Sequence, residues 1–155
     1  MGKLKTVTET KTIEALLTEA RDEIESLKTE MEQWRDNLDN NEGLRNTQKY
    51  EQVDEAAETL DRAYEEIESA VRQLLEEGLL TGQQFDNSLT VSYVKPYGRM
   101  SFPRWARLGY SIAYLHKAKE FLETDPAYKT NEDFRAAVDG LQGDELENVD
   151  FPGMY

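Results

Sequence analysis

Apolar side chains recur along two stretches of this chain at alternating steps of four and three. The first run is Ile13, Leu17, Ala20, Ile24, Leu27, Met31, Trp34 and Leu38; the second is Val53, Ala57, Leu60, Tyr64, Ile67, Val71 and Leu74. Two such seams predict long helices that pair in the manner of a coiled coil. Pairing them antiparallel sets Trp34 against Val53, Leu27 against Leu60 and Ile13 against Leu74, and it puts the pivot between Gly43 and Leu44. That pivot is the middle of DNNEGLRNTQ, a polar segment rich in turn residues. Both periodicities and the turn chemistry therefore choose the same hairpin. Small Ala20 and Ala57 face Ile67 and Met31, so the layers can interdigitate.

The first helix is expected from about Thr12 to Asn37, with Glu14 in its first turn, where the helix dipole favours an acid. Its outward face is assigned Glu19, Asp22, Glu23, Glu30 and Glu32. The second helix is expected from about Lys49 to Glu77, with Gly78 as a left-handed stop. Ala56, Ala63, Ala70 and Leu75 widen its apolar face, so the hairpin needs a further element to cover it.

The pattern changes in QQFDNSLTVSYVKPYGRMSF, residues 83–102. Leu89, Val91 and Tyr93 alternate, which predicts a short strand near 88–95 between turns at Asp86–Ser88 and Tyr97–Gly98. A lone strand is unstable, so it must pair with the Thr- and Lys-rich arm 1–12, with a partner chain, or with itself around Gly98. Pro103 suits the first turn of a third helix running to about Leu122. One stripe on it is Trp105, Leu108, Ile112, Leu115, Ala118 and Leu122; Tyr110, Tyr114 and Phe121 add a second. This helix is expected to lie on the wide face of the hairpin, with Gly109 allowing close approach. Thr130 and Asp133 predict the cap of a short fourth helix bearing Phe134, Ala137, Val138 and Leu141. Residues 142–155 read as an acidic tail. The expectation is one all-α domain: a long antiparallel hairpin packed by a third helix, with a short extended element and a short fourth helix.

Charge divides the chain into three. There are 32 acids and 18 bases, for a net charge of −14. Residues 1–82 hold 21 acids and 10 bases, residues 83–119 one acid and six bases, and residues 120–155 10 acids and two bases. An acidic chain of this kind repels nucleic-acid backbones as a whole. With no cysteine it has no disulfide, thiolate metal site or thiol nucleophile. It shows no secretory apolar region and no run of membrane length, so it reads as a cytoplasmic protein without a membrane partner. Met1, Gly2 and Thr6 match the short myristoylation pattern, though an unmodified start is the plainer reading.

The first helix closes with the segment EMEQWRDNL. It resembles a recurring segment of uncharacterised small acidic proteins of tailed bacteriophages. There an acidic helix ends in Trp or Tyr, then Asp-Asn and Leu or Met, and a short loop leads into another acidic helix. Met31, Trp34, Asp36, Asn37 and Leu38 match, with Gly43, Leu44 and Lys49 following; Asp39 stands where that pattern has Pro. The resemblance covers about a third of the chain. It implies a phage origin, and hence the host cytoplasm, and it implies no activity.

Catalytic chemistry is hard to place. His116 is the sole histidine, so no His-rich metal site forms, and a triad has one base flanked by Lys117 and Lys119. GRMSF lacks the spacing of a phosphate loop. Acid pairs such as Glu65–Glu66 and Glu76–Glu77 are what a solvated helix face shows. No catalytic residue, metal or cofactor is expected, and the chain is read as non-enzymatic.

Two surfaces remain. Glu55, Glu58, Asp61, Glu65, Glu66 and Glu68 line one side of the second helix, which spans roughly 37 Å at about 1.5 Å per residue. Such a row could dock on a host or phage protein, or imitate a phosphate array and occupy a nucleic-acid-binding site as an anti-defence inhibitor. The other surface mixes bases and rings: Tyr93, Lys95, Tyr97, Arg99, Arg104, Trp105 and Arg107, in a block that runs on to Tyr114. This composition suits a nucleotide or single-stranded nucleic acid. The competing reading, placed ahead of it, makes the rings core and the bases counter-charge for the acidic hairpin. A third reading is an oligomeric, virion-associated component, with a homodimer as its simplest form.

Overall fold

The computed structural model describes residues 3–41, 43, 44, 47–98 and 102–152. It is mostly helical. Two long helices, α1 (Ile13–Asp39) and α2 (Gln48–Leu75), fold back on each other, as the seams require. Thr12 caps α1 by accepting from the Ala15 N–H at 3.1 Å, and Thr47 caps α2 by accepting from the Tyr50 N–H at 3.2 Å. Between them the Asn41 side chain accepts from the Gly43 N–H, an Asx turn that reverses the chain.

Contacts between the long helices agree with the register. Arg35 meets Asp54, Lys28 meets Asp61, and the Tyr64 hydroxyl donates to Glu25. These pairs flank the seam, and Ile13, Leu17, Ala20, Ile24, Leu27 and Met31 are sealed inside it with Val53, Ala57, Leu60, Ile67, Val71 and Leu74. Two seam residues depart from expectation. Trp34 and Tyr64 are half-buried at the edge, each with a lysine ammonium over its ring.

The fold is not all-α. Strand β1 (Leu4–Thr12) pairs antiparallel with β2 (Ser88–Pro96), from Leu4 opposite Pro96 to Thr12 opposite Ser88. Of the partners open to the predicted strand, the N-terminal arm is the one it takes. The segment before it, expected to be extended from residue 83, first makes one helical turn, α3 (Gly82–Asp86). The reason lies in tertiary contacts: buried Gln84 accepts from the Thr81 N–H and donates to Asp125.

Helix α4 (Arg104–Glu123) packs along α1, not across the wide face of the hairpin as expected. The Ala row of α2 is covered by α6 (Glu132–Asp139), which follows the short α5 (Ala127–Thr130), and by a 3-10 turn at Leu146–Asn148. At this contact a Cβ added to Gly140 would stand 3.1 Å from the Ala70 Cβ, so a small residue lets α6 sit close. Gly109 plays no such part, since a Cβ there meets nothing within 4 Å. The cap of α6 is Asn131, which accepts from the Asp133 and Phe134 N–H groups, one residue later than the predicted Thr130. The supposed tail is partly core: Leu146 is fully buried, and Val149 and Phe151 pack against the interior. Gly78 and Gly98 take positive φ (79° and 77°) at the predicted turns.

Candidate functional site

The two surfaces singled out in the sequence have different fates. Alternation in the β-ribbon decides the first. Val7, Glu9 and Lys11 of β1 lie opposite Tyr93, Val91 and Leu89 of β2, so all six share one face. That face turns toward α4. The four rings of Tyr93, Phe102, Tyr110 and Tyr114 gather there with centroids 5.3–6.1 Å apart, in tilted and edge-on arrangements.

Polar groups on this cluster are paired. The Tyr93 and Tyr114 hydroxyls donate to Glu9 Oε1 at 2.6 and 2.8 Å, and the Tyr110 hydroxyl donates to Glu23. Lys11 Nζ donates to Glu19 at 2.9 Å and stands 3.8 Å from Glu9. Burial raises the pKa of Tyr93, and the bond to Glu9 adds to this, so that it is pushed up to about 12. Burial likewise raises Tyr110 and Tyr114, reinforced by Glu23 and Glu9 respectively. Burial would raise Glu9 itself, but two tyrosine donors and Lys11 outweigh it and hold the carboxyl below its usual range.

Arg107 joins α4 to α1. Its Nε donates to Glu23 at 2.9 Å, and its two terminal nitrogens donate to the two oxygens of Glu30 at 2.9 and 2.5 Å. Arg104 adds a bond to Glu30 at 3.0 Å and lays its guanidinium over the Trp34 ring, 5.4 Å from the centroid. Hydrogen bonding to Arg107 is the main reason the Glu30 carboxyl lies below the ordinary range. Glu23 and Glu30, assigned to the outer face of the first helix, are therefore half-buried against α4. Arg107 thus spends its donors on Glu23 and Glu30, and Arg104 shares Glu30 with it.

Other members of the predicted basic-aromatic surface do not converge on one point. Lys95 stands 5.2 Å over the Phe102 ring, Tyr97 is 67% exposed at the ribbon's end, and Trp105, expected in the core stripe, is 46% exposed. Arg99 lies outside the described residues. What forms beside the ring cluster is an open cleft of about 520 Å³, walled by the rings, by Glu9, Glu19 and Glu23, and by Lys11 and Arg107. Glu9, Glu19, Glu23 and Lys11 lie outside both surfaces that the sequence suggests. A charged pair on the inward face of β1 was the available signal, legible only once the strand and its facing were known.

The second surface survives as a surface. Glu55, Glu58, Glu65 and Glu66 stand exposed along α2 and make no ion pair among the described residues. Asp61 and Glu68 are partly exposed on the same helix and pair with Lys28 and Arg72 at 3.6 and 3.8 Å. Two shallow grooves run beside this row. One, of about 310 Å³, has Glu65 and Glu66 above a floor of Ala70, Ala137 and Gly140. The other, of about 220 Å³, lies between Glu55, Ala56 and Thr59 and the chain at Val149 and Asp150.

Among the described residues no three His, Asp or Glu side chains are grouped to hold a metal ion, and no helix is long and apolar enough to cross a membrane. His116 is an exposed residue of α4. Comparison with known protein families, with curated proteins and with solved structures finds no match to this chain.

Proposed function

We propose that this protein is a non-enzymatic accessory protein of phage origin that docks on a basic surface of a host or phage protein through the acidic row of α2. One observation carries this reading: the carboxylates of Glu55, Glu58, Glu65 and Glu66 are exposed on one stiff helix and make no ion pair among the described residues, while Arg107 is held by Glu23 and Glu30 and Arg104 by Glu30. These carboxylates stand on a face with shallow, small-residue grooves at its side. A partner offering Lys or Arg side chains gains both steering and complementarity there. A partner whose own ligand is nucleic acid is the sharper form, since the row then competes with phosphates. The nucleotide reading of the block 93–114 draws no support from Arg107, because its donors already face Glu23 and Glu30.

The test compares the wild type with a variant carrying Glu55→Gln, Glu58→Gln, Glu65→Gln and Glu66→Gln, which keeps shape and removes charge. Each is immobilised and exposed to infected-cell extract at about 50 mM and about 500 mM salt, where screening differs strongly. A protein retained by the wild type at low salt, lost at high salt and absent from the variant supports the reading. Identical capture by both proteins, or no capture at low salt, overturns it.

A further inference from the structure

We propose that the cleft between the β-ribbon, α1 and α4 binds an organic ammonium group. Its walls combine the two features that recognise such a cation: aromatic faces, which present negative charge density, and carboxylates beside them whose field favours a positive group. Tyr93, Phe102, Tyr110 and Tyr114 supply the rings, and Glu9, Glu19 and Glu23 the carboxylates. Glu9, Glu19 and Glu23 against Lys11 and Arg107 leave the lining itself one negative charge in excess, with Lys95 standing over its Phe102 ring. The tyrosine hydroxyls add to it, because donating to Glu9 and Glu23 pushes electron density into their rings.

The chain already places ammonium groups on this cluster. Lys11 Nζ sits 5.6 Å from the Tyr114 centroid while held by Glu19, and Lys95 Nζ sits 5.2 Å from the Phe102 centroid. The central rings, Tyr93 and Tyr110, carry no cation among the described residues. They are half-buried and border the open volume, so a group entering from solvent meets the seats that the protein's own lysines leave. A bare metal ion suits the site poorly, since the described residues offer no three-ligand group and the cleft holds about 520 Å³. An anion would meet Glu9, Glu19 and Glu23 on entry. The fitting occupant is an alkylated ammonium headgroup, either of a free amine or of a lysine side chain.

Titration with choline, followed by NMR of the tyrosine ring protons, tests this. Saturable shifts of Tyr93 and Tyr110 are expected, with a Kd on the order of 1 mM, as a few cation–π contacts would give. The uncharged isostere 3,3-dimethylbutan-1-ol should produce none. Glu19, with its side chain 47% exposed, can be altered without disturbing the interior, and Glu19→Gln should weaken choline binding about fivefold. Lys11→Met removes the resident ammonium and should tighten binding about tenfold. A trimethyllysine peptide that matches choline assigns the site to a side chain; choline binding without peptide binding assigns it to a free amine. No saturable shift at about 100 mM choline, an equal response to the neutral isostere, or indifference to Glu19→Gln would overturn the proposal, since such binding would be weaker than any cage or blind to charge.

Discussion

Helix α1 has two interfaces built on opposite principles. Toward α2 it presents a dry aliphatic seam, with Ile24, Leu27 and Met31 fully buried and polar contacts confined to the margins. Toward α4 and the ribbon it presents Glu23 and Glu30, met by Arg104, Arg107 and Tyr110, with the aromatic cluster beyond. One interface gains from removing apolar surface from water, at roughly 25 cal/mol per Å². The other must satisfy charges that would be costly to leave alone. The seam tolerates any well-shaped apolar side chain, whereas the polar interface depends on each partner being present. Seams of this kind make stability. The polar side gives α4 one orientation and leaves a cleft.

This contrast can be broken experimentally, and the seam should give the largest response. Leu27→Ala or Leu60→Ala should cost about 2–5 kcal/mol in urea unfolding, the range for a buried leucine that leaves a cavity. A loss below about 1 kcal/mol would mean that the seam is not the core. Arg107→Met comes next. It strands Glu23 and Glu30, but its side chain is 20% exposed, so a loss of about 1–3 kcal/mol is expected instead of the full buried-pair value. Adding Glu23→Gln and Glu30→Gln should restore much of it; a purely additive further loss would show that packing, not charge, was removed.

Titration separates the interfaces further. Glu9 and Glu30 hold their protons less tightly in the fold than the usual value of 4.5, so each adds stability above that pH that is lost as the pH falls below it. In Glu9→Gln and Glu30→Gln variants the acid limb of melting temperature against pH should flatten. At the alkaline end the sign reverses. Tyr93 ionises in the fold near pH 12 against 10 ordinarily, so its stabilisation is complete below pH 10 and is lost between 10 and 12. Absorbance of tyrosinate should rise together with unfolding; ionisation well before unfolding would show that the ring cluster is open to water. The smallest effect belongs to the acidic row, where Glu58→Gln should change stability by less than about 0.5 kcal/mol while still weakening partner capture.

The hairpin was legible because local pattern and tertiary demand coincide: a heptad seam has one face to hide, and its turn must lie where the pattern breaks. The placement of α4 was not. That helix is apolar around much of its circumference, so its pattern admits several faces, and the choice was made by Arg107 and Tyr110 meeting Glu23 and Glu30 far upstream. For the same reason Trp105 read as core and Glu23 as surface. The short α3 follows Gln84 reaching Asp125, a partner that no local signal indicates.

On its own, then, the sequence settled the quantities that are local or additive: the antiparallel pair of helices, the turn between them, the strand at 88–95 and the division of charge along the chain. The tertiary structure alone decided the pairing of β1 with β2, the covering of α2 by α6, and the gathering of Glu9, Lys11 and four rings around one cleft. The physical reason is range. Periodicity records which side of an element avoids water, and it is written in neighbouring residues. Which charged or aromatic partner meets that side depends on residues some 80 positions away, brought together only when the whole chain has closed.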